Sequence, residues 1–350
     1  MQKRALICGV SGQDGSYLAG LLLSKNYHVT GTSRDAQMAR FENLVRLGIR
    51  DQVDCLSMSL TDFRSTLQVL DKVRPDEVYN LAGQSSVALS FEQPVEAMTS
   101  ISTGCLNLLE AIRFIGRDIR FYNASSSECF GDTGGRAADE TTPFRPRSPY
   151  GVAKAAAHWT VVNYREAYGV HAVNGILFNH ESPLRPYRFV TKKIVAAAGA
   201  VAKGRKQKLR LGDLEIKRDW GFAPEYVDAI WRMTQLDYPT DLVIATGQTH
   251  SLREFVSAAF DGVGLDWSEY VEVDDSLRRP SDIAYSAGNA ALAQRLIGWR
   301  TQSTMKDVVR LMLEAELGAG CAAPPEQGAC ETAASIGAVG DDAPAVKTMK

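Results

Sequence analysis

A doubly wound α/β protein, with a parallel sheet and a smaller C-terminal lobe, is what this sequence predicts, on three observations. From residue 3 to about 180, short Val/Ile/Leu-rich runs alternate with segments of helical periodicity, the pattern of a parallel sheet with helices on both faces. A glycine-rich loop joins the first apolar run to the first helix. After Asn179 the alternation breaks.

The elements follow in order. Arg4-Ala5-Leu6-Ile7-Cys8 is continuously apolar after its first residue, as a strand buried on both faces must be. Gly9-Val10-Ser11-Gly12-Gln13-Asp14-Gly15 comes next, and Ser16 to Leu23 reads as the helix that leaves the loop. Glycines at Gly-x-x-Gly-x-x-Gly spacing let the backbone turn tightly and approach a pyrophosphate, while the helix N-terminus offers amide donors and positive dipole. Gly9, Gly12, Gln13, Asp14 and Gly15 are therefore the candidate cofactor loop. Further strands are expected at 27–32, 53–57, 77–81, 119–124 and 171–177, completing a Rossmann-type domain over residues 1–180 that carries the cofactor and the catalytic groups. Residues 181–317 are expected to form mainly the substrate lobe. They mix a positively charged helix (190–204), a short strand pair around 208–213, a strand at 241–246 and amphipathic helices near 251–261 and 304–316. Ala223–Gln235 and Leu242–Thr246 are candidates to return to the first sheet. From residue 318 to 350 the text turns Gly/Ala/Pro-rich, without aromatic residues or periodicity, and reads as a disordered tail.

Composition narrows the function classes. Net charge is −2 with pI near 6.3, so no global basic field invites nucleic acid. No apolar stretch has spanning length and no signal peptide opens the chain, so the expectation is a cytoplasmic protein off the membrane. The six Cys residues, at 8, 55, 105, 129, 321 and 330, lack any Cys-x-x-Cys spacing, which argues against a zinc site and a disulfide framework. No metal is expected.

The chemistry-bearing pattern is Tyr150-Gly151-Val152-Ala153-Lys154, with Ser125-Ser126-Ser127-Glu128 upstream. Tyr and Lys four apart on a helix project from one face. A tyrosine with an ordinary pKa of about 10 is a poor base at neutrality, and a neighbouring ammonium would stabilise its phenolate. Glu128, two residues after Ser126 on what reads as an extended segment, is expected to point to the same side. The second strand ends at Ser33-Arg34, where an acidic ribose ligand would favour NAD; a serine and a guanidinium, with Arg40 further on, suit a 2′-phosphate and hence NADP.

Long strings extend the case: GQDGSYLA (12–19), EVYNLAGQSSV (77–87), FYNASSSECFG (121–131), TPFRPRSPYGVAKAAAHW (142–159), GILFNHESPLR (175–185), FVTKKI (189–194), KRDWGFAPEYVDAIW (217–231), VIATGQTHSLREF (243–255) and RRPSDI (278–283). In these strings the chain resembles the extended short-chain dehydrogenase/reductases, and more narrowly the GDP-mannose 4,6-dehydratase family. The resemblance spans roughly residues 1–315, with the strings in family order.

The resemblance implies a redox-neutral dehydration of a GDP-hexose: hydride leaves C4, a carboxylate removes the C5 proton, water leaves from C6, and hydride returns to C6. Tyr150 with Lys154 would take the C4 hydroxyl proton, Ser126 would share that oxygen, and Glu128 would serve C5 and C6. Ser59 and Leu60 would approach the adenine, Leu81, Ala82, Gln84 and Ser85 would run along the nicotinamide, with Ser85 reaching toward substrate, and His180 and Arg185 would touch the cofactor's far end. Asn179, Lys193, Arg218 and Arg279 would contact the GDP moiety. Asp282 stands where the family usually has Glu, Ser126 where it has Thr, Ser59 where it has an acidic residue, and Cys129 where it has a larger apolar one. The alternatives are the same chemistry on another GDP sugar such as a GDP-heptose or on another nucleotide, an epimerase or 4-reductase, against which Glu128 argues, and a non-catalytic NADP-binding protein. Family members are homodimers or homotetramers.

Overall fold

The computed structural model describes residues 2–205 and 207–318. The tail expected from residue 318 lies, beyond Gly318, outside the described residues. Twelve strands run β1 (Arg4–Cys8), β2 (His28–Ser33), β3 (Asp54–Ser57), β4 (Glu77–Asn80), β5 (Arg120–Ser126), β6 (Ala172–Leu177), β7 (Asn179–Glu181), β8 (Leu209–Leu211), β9 (Lys217–Phe222), β10 (Leu242–Ile244), β11 (Thr249–Ser251) and β12 (Val271–Val273). Among the described residues twelve α-helices accompany them: α1 (Gln13–Ser24), α2 (Glu42–Arg46), α3 (Phe63–Val73), α4 (Val87–Glu92), α5 (Pro94–Met98), α6 (Gly104–Ile115), α7 (Pro149–Tyr168), α8 (Val190–Ala202), α9 (Ala223–Thr234), α10 (Leu252–Asp261), α11 (Ala291–Ile297) and α12 (Met305–Gly318).

Seven strands form one parallel sheet in the order β10-β6-β5-β4-β1-β2-β3. Residues of β1 alternate between its two faces: Ala5 and Ile7 pack with α1 and α9, whereas Leu6 and Cys8 pack with α3, α6 and α7. Ala5, Leu6, Ile7 and Cys8 are wholly buried, which is why the strand reads as an unbroken apolar run. Each of the six expected strands lies within two residues of its sequence-derived position. Beyond residue 180 the chain does not keep to one lobe: α9 lies against α1 and β10 pairs with β6, extending the first sheet. A separate apolar cluster gathers α8, α10 and α12 around Trp220, Phe255 and Phe260.

Three expectations need correction. The first helix starts at Gln13, not Ser16, because Gly12 is extended at its N-cap (φ −72°, ψ 170°) and Gly15 already lies in its first turn. The segment around 208–213 supplies only β8, whose partner is the distant β12, in parallel. A mixed three-stranded sheet, β11-β9-β7, was not foreseen; its end strands have three residues each and carry polar side chains, too short for a periodicity to show. Among the described residues no helix is long and apolar enough to cross a membrane.

Candidate active site

Strand order reverses between β1 and β4, and such a switch point leaves a crevice at the carboxyl ends of the strands. A cavity of about 900 Å³ opens there, reaching from Asp14 and Leu81 past Ser126, Glu128, Tyr150 and Lys154 to Arg218 and Arg279. Ser85, Asn179, His180, Arg185, Lys193 and Asp282 also line it. Among the described residues no cluster of His, Cys, Asp or Glu is placed to hold a metal ion.

The glycine loop fits a dinucleotide. Gly9 has φ +85°, and a Cβ there would stand 3.0 Å from the Ala82 backbone. A Cβ on Gly15 would come within 2.4 Å of the Gly9 carbonyl, so only glycine lets α1 start this close to β1. No side chain caps α1, leaving its first amides for an anion. Asp14 instead turns to His180, whose Nε2 is 2.9 Å from Oδ2. Burial would raise the Asp14 carboxyl, but His180 and Gln13 outweigh it and hold the group down to about 2.

Other expected cofactor residues are already occupied by the protein. The Gln13 amide donates to the His180 carbonyl (3.2 Å) and accepts from Ser182 (2.8 Å), so only its backbone faces the loop. Gln84 closes on Ser86 through both side-chain atoms. Ser59 shares a hydrogen bond with Thr61, and Leu60 packs against Gly104. Arg34 follows β2 and makes no ion pair among the described residues. Arg40 lines a second cavity, with Ser11, Arg46 and Arg185. Arg185 is paired with Glu181 at 2.9 Å.

The catalytic candidates come from two elements. Ser148 caps α7 by accepting from the Gly151 amide (3.0 Å), and Pro149 takes the first helical position, so Tyr150 enters at the cavity wall. Lys154, one turn on, donates to the Ala124 carbonyl at 2.7 Å and lies 5.7 Å from the Tyr150 ring centroid. The ammonium is therefore drawn to β5 rather than to the phenol. Burial holds the Tyr150 hydroxyl above its ordinary range, with the nearby Ser126 hydroxyl opposing, where the Lys154 ammonium was expected to bring it down.

Glu128 is not on an extended segment. Ser127–Cys129 forms a single 3₁₀ turn, and the Ser126 hydroxyl accepts from the Glu128 amide at 3.2 Å. The turn, not strand alternation, brings the carboxylate to the cavity beside Ser126. Burial pushes its pKa up, while Arg218 and Arg279 pull it down; the net direction is upward.

Behind these groups lies a buried polar chain that was not foreseen. The Ser125 hydroxyl is 3.2 Å from His158 Nδ1, and His158 Nε2 is 3.7 Å from Asp241. Asp241 grips Arg165 through both oxygens at 2.7 and 3.0 Å and accepts from the Asn174 amide. Burial keeps His158 below its ordinary pKa; a neutral ring that keeps its proton on Nε2, facing the Asp241 carboxylate, leaves Nδ1 to accept from Ser125. The chain pins α7 to β5, β6 and the start of β10.

The far half of the cavity is cationic. Arg218 is buried, donating to the Ile283 carbonyl at 2.6 Å and to Asp282 at 2.9 Å. Asp282 also holds Arg279 at 3.4 Å, so one carboxylate aims two guanidiniums. Lys193 projects from α8 without an ion pair among the described residues. Arg188, which sequence reasoning missed, lines the cavity as well; its only sequence signal is its place directly before the FVTKKI string.

Comparison with known proteins places this geometry. The family model for GDP-mannose 4,6 dehydratase matches residues 6–312. The chain belongs to the GDP-mannose 4,6-dehydratase family. Relatives in that family include GDP-mannose 4,6 dehydratase 2 of Arabidopsis thaliana, 45% identical over 90% of this chain and 87% of its own length. The human GDP-mannose 4,6 dehydratase is 40% identical over 89% of this chain and 91% of its own. Among solved structures, a Thermus thermophilus UDP-glucose 4-epimerase complexed with NAD superposes with a TM-score of 0.79 at 27% identity, covering 90% of this chain and 99% of that one. A Bacillus anthracis dTDP-glucose 4,6-dehydratase shares the fold, with a TM-score of 0.78 at 18% identity over 91% of this chain and 97% of its own. The Asp282 carboxylate thus grips both arginines.

Proposed function

We propose that this protein is a hydro-lyase that converts GDP-mannose to GDP-4-dehydro-6-deoxymannose, using a nicotinamide cofactor, NADP in preference to NAD. One observation carries the reading in a chain of this family: Ser126, Glu128, Tyr150 and Lys154 line the same cavity as Lys193, Arg218 and Arg279. The cavity thus pairs a proton-transfer group for each reacting carbon with cations for a diphosphate.

The cofactor, when bound, supplies hydride acceptance from C4 and hydride return to C6. The protein handles the protons. Tyr150 takes the proton of the C4 hydroxyl, and Ser126, lining the same cavity, holds the same oxygen. Lys154 fixes the distance between α7 and β5 through Ala124. A C4 ketone acidifies the C5 proton, and Glu128 removes it; the raised affinity of its carboxyl for a proton then serves delivery to the departing C6 hydroxyl, and C5 takes up one proton as hydride returns to C6, balancing the one that Tyr150 withdrew from the C4 hydroxyl. Arg218, Arg279 and Lys193 bind the diphosphate. The 2′-phosphate preference is supported by Ser33 and Arg34 at the end of β2, where the following carboxylate, Asp35, is taken up by the Gln37 and Met38 amides. A cytoplasmic homodimer or homotetramer completes the reading, supported by an apolar outer face on α6 and α7.

The test is incubation of the purified protein with NADP and a panel of nucleotide sugars, followed by mass spectrometry. GDP-mannose is expected to lose one water, and deuterium placed at C4 is expected at C6 of the same molecule. Unchanged GDP-mannose, or deuterium released to solvent, would defeat the reading.

A further inference from the structure

Two guanidiniums share one aromatic ring at the cavity wall. Arg185 stands 3.7 Å and Arg188 5.2 Å from the Phe189 ring centroid. Their electrostatic situations differ. Glu181 neutralises Arg185 at 2.9 Å, whereas Arg188 has no carboxylate in ion-pairing range among the described residues. Its Nη2 donates instead to the Ser85 hydroxyl at 2.9 Å, across from the loop after β4. Partial burial and the charge of Arg185 both disfavour the Arg188 cation. A guanidinium seated on an aromatic plate, held by a neutral hydroxyl and left without a counter-charge retains free donors for a ligand.

The chemistry of the substrate limits what those donors meet. This step rests on the dehydratase reading. C4 is engaged by Tyr150 and Ser126, C5 and C6 by Glu128, and C1 bears the diphosphate held by the cations. The C2–C3 edge is the part of the hexose still without a protein partner. Ser85 and Arg188 are polar groups of the same cavity that the reaction does not otherwise use. A planar fork of donors matches two adjacent oxygens, as it matches carboxylates. We propose that Arg188, held by Ser85, hydrogen-bonds the C2 and C3 hydroxyls and is a specificity-determining residue for the hexose.

Binding measurements test this apart from catalysis. Calorimetric titrations of GDP, GDP-mannose and its 2-deoxy and 3-deoxy analogues would use protein saturated with reduced cofactor, in which C4 oxidation does not proceed. Arg188→Ala should leave GDP affinity unchanged and weaken GDP-mannose about 10–100-fold, the effect of losing one hydrogen bond to a charged group. At least one deoxy analogue should bind the unmodified protein more weakly than GDP-mannose, and Arg188→Ala should erase that difference. Arg188→Lys, which keeps the charge without the fork, should recover only part of the loss. Equal weakening of GDP and GDP-mannose, or unaltered GDP-mannose affinity in Arg188→Ala, overturns the assignment. Water loss followed in oxidised-cofactor samples separates the two readings. Hexose discrimination without water loss refutes the dehydratase and upholds Arg188, while water loss with unaltered Arg188→Ala binding does the reverse.

Discussion

At the scale of single residues, the proposed chemistry asks most of Glu128. Its carboxyl is held above its ordinary value chiefly by burial, against the pull of Arg218 and Arg279. The base must be ionised to take the C5 proton, so turnover should fall as pH drops through that raised value. Weakening the pull by Arg279→Gln should move the acid limb of the pH–rate profile upward; an unmoved limb would show that another group sets it. Glu128→Gln should abolish water loss yet permit C4 oxidation, visible as reduced-cofactor absorbance with an oxygen still on C6. Normal dehydration by that variant would mean the base is misassigned. The residue scale also shows what sequence can convey. That Ser126, Glu128, Tyr150 and Lys154 share one cavity was legible, because few side-chain types suit the proposed chemistry. Their geometry was not. The direction of Glu128 depends on a 3₁₀ turn, and the partner of Lys154 is a backbone carbonyl that any sequence would offer. Arg188 was one of 39 Lys and Arg residues, and nothing local marks a cation whose counter-charge is missing.

At the scale of elements, α7 matters most, because it carries Tyr150 and Lys154 while β5 carries Ser126 and leads into Glu128. Two ties fix their relative position. One is Lys154 on Ala124; the other is the chain Ser125–His158–Asp241–Arg165. Asp241→Ala would leave Arg165 and the Asn174 amide without their acceptor in a largely buried site. The expected cost is about 2 kcal/mol, below the value for a fully buried pair because both side chains keep some exposure. Denaturant unfolding should show it as a lowered midpoint; an unchanged midpoint would show that water replaces the carboxylate fully. His158→Leu should slow the first hydride step more than it weakens GDP binding, whereas equal effects on both would argue for general loosening. The inner strands of the large sheet were readable from sequence, since β1, β4, β5 and β6 are buried nearly throughout, whereas the edge strand β3 is half exposed. Strands β7, β11 and β12 were not, because a three-residue strand with polar members has no period to detect.

At the scale of the whole molecule, Asp14 and His180 join the first strand–helix unit to the chain that follows β6. Asp14 is held from 3.8 down to about 2, and His180 is held above 6.5, because each favours the other's charged form against the opposing effect of burial. The carboxylate's contribution is present above pH 3.8 and is lost as pH falls through about 2; the imidazolium's is present below 6.5 and is lost as pH rises through its raised value. Stability of the unliganded protein should therefore decline on both sides, and Asp14→Asn should flatten both limbs. Unchanged limbs in that variant would place the titration elsewhere. A second expectation concerns assembly. Val152 and Trp159 lie two turns apart on one side of α7, 45% and 59% exposed, and Phe114 on neighbouring α6 is 70% exposed. Apolar side chains on adjoining helices suit a second copy of the same chain. Trp159→Glu should lower the mass measured by light scattering; an unaltered mass would move the interface elsewhere.

The double grip of Asp282 on Arg218 and Arg279 has a consequence for turnover. With Glu128 ionised, two carboxylates balance those two guanidiniums, leaving the uncompensated positive charge of Lys193 to meet the diphosphate. Elimination removes a neutral molecule and leaves that diphosphate untouched. The attraction that captures the sugar nucleotide therefore holds the ketone it becomes with equal strength, and the charges give the reaction no outward push. Departure must wait on thermal escape or on withdrawal of the ketone by whatever consumes it. The 4-keto sugar nucleotide should accordingly compete with its precursor at comparable concentrations, and added salt should weaken the hold on both by the same factor.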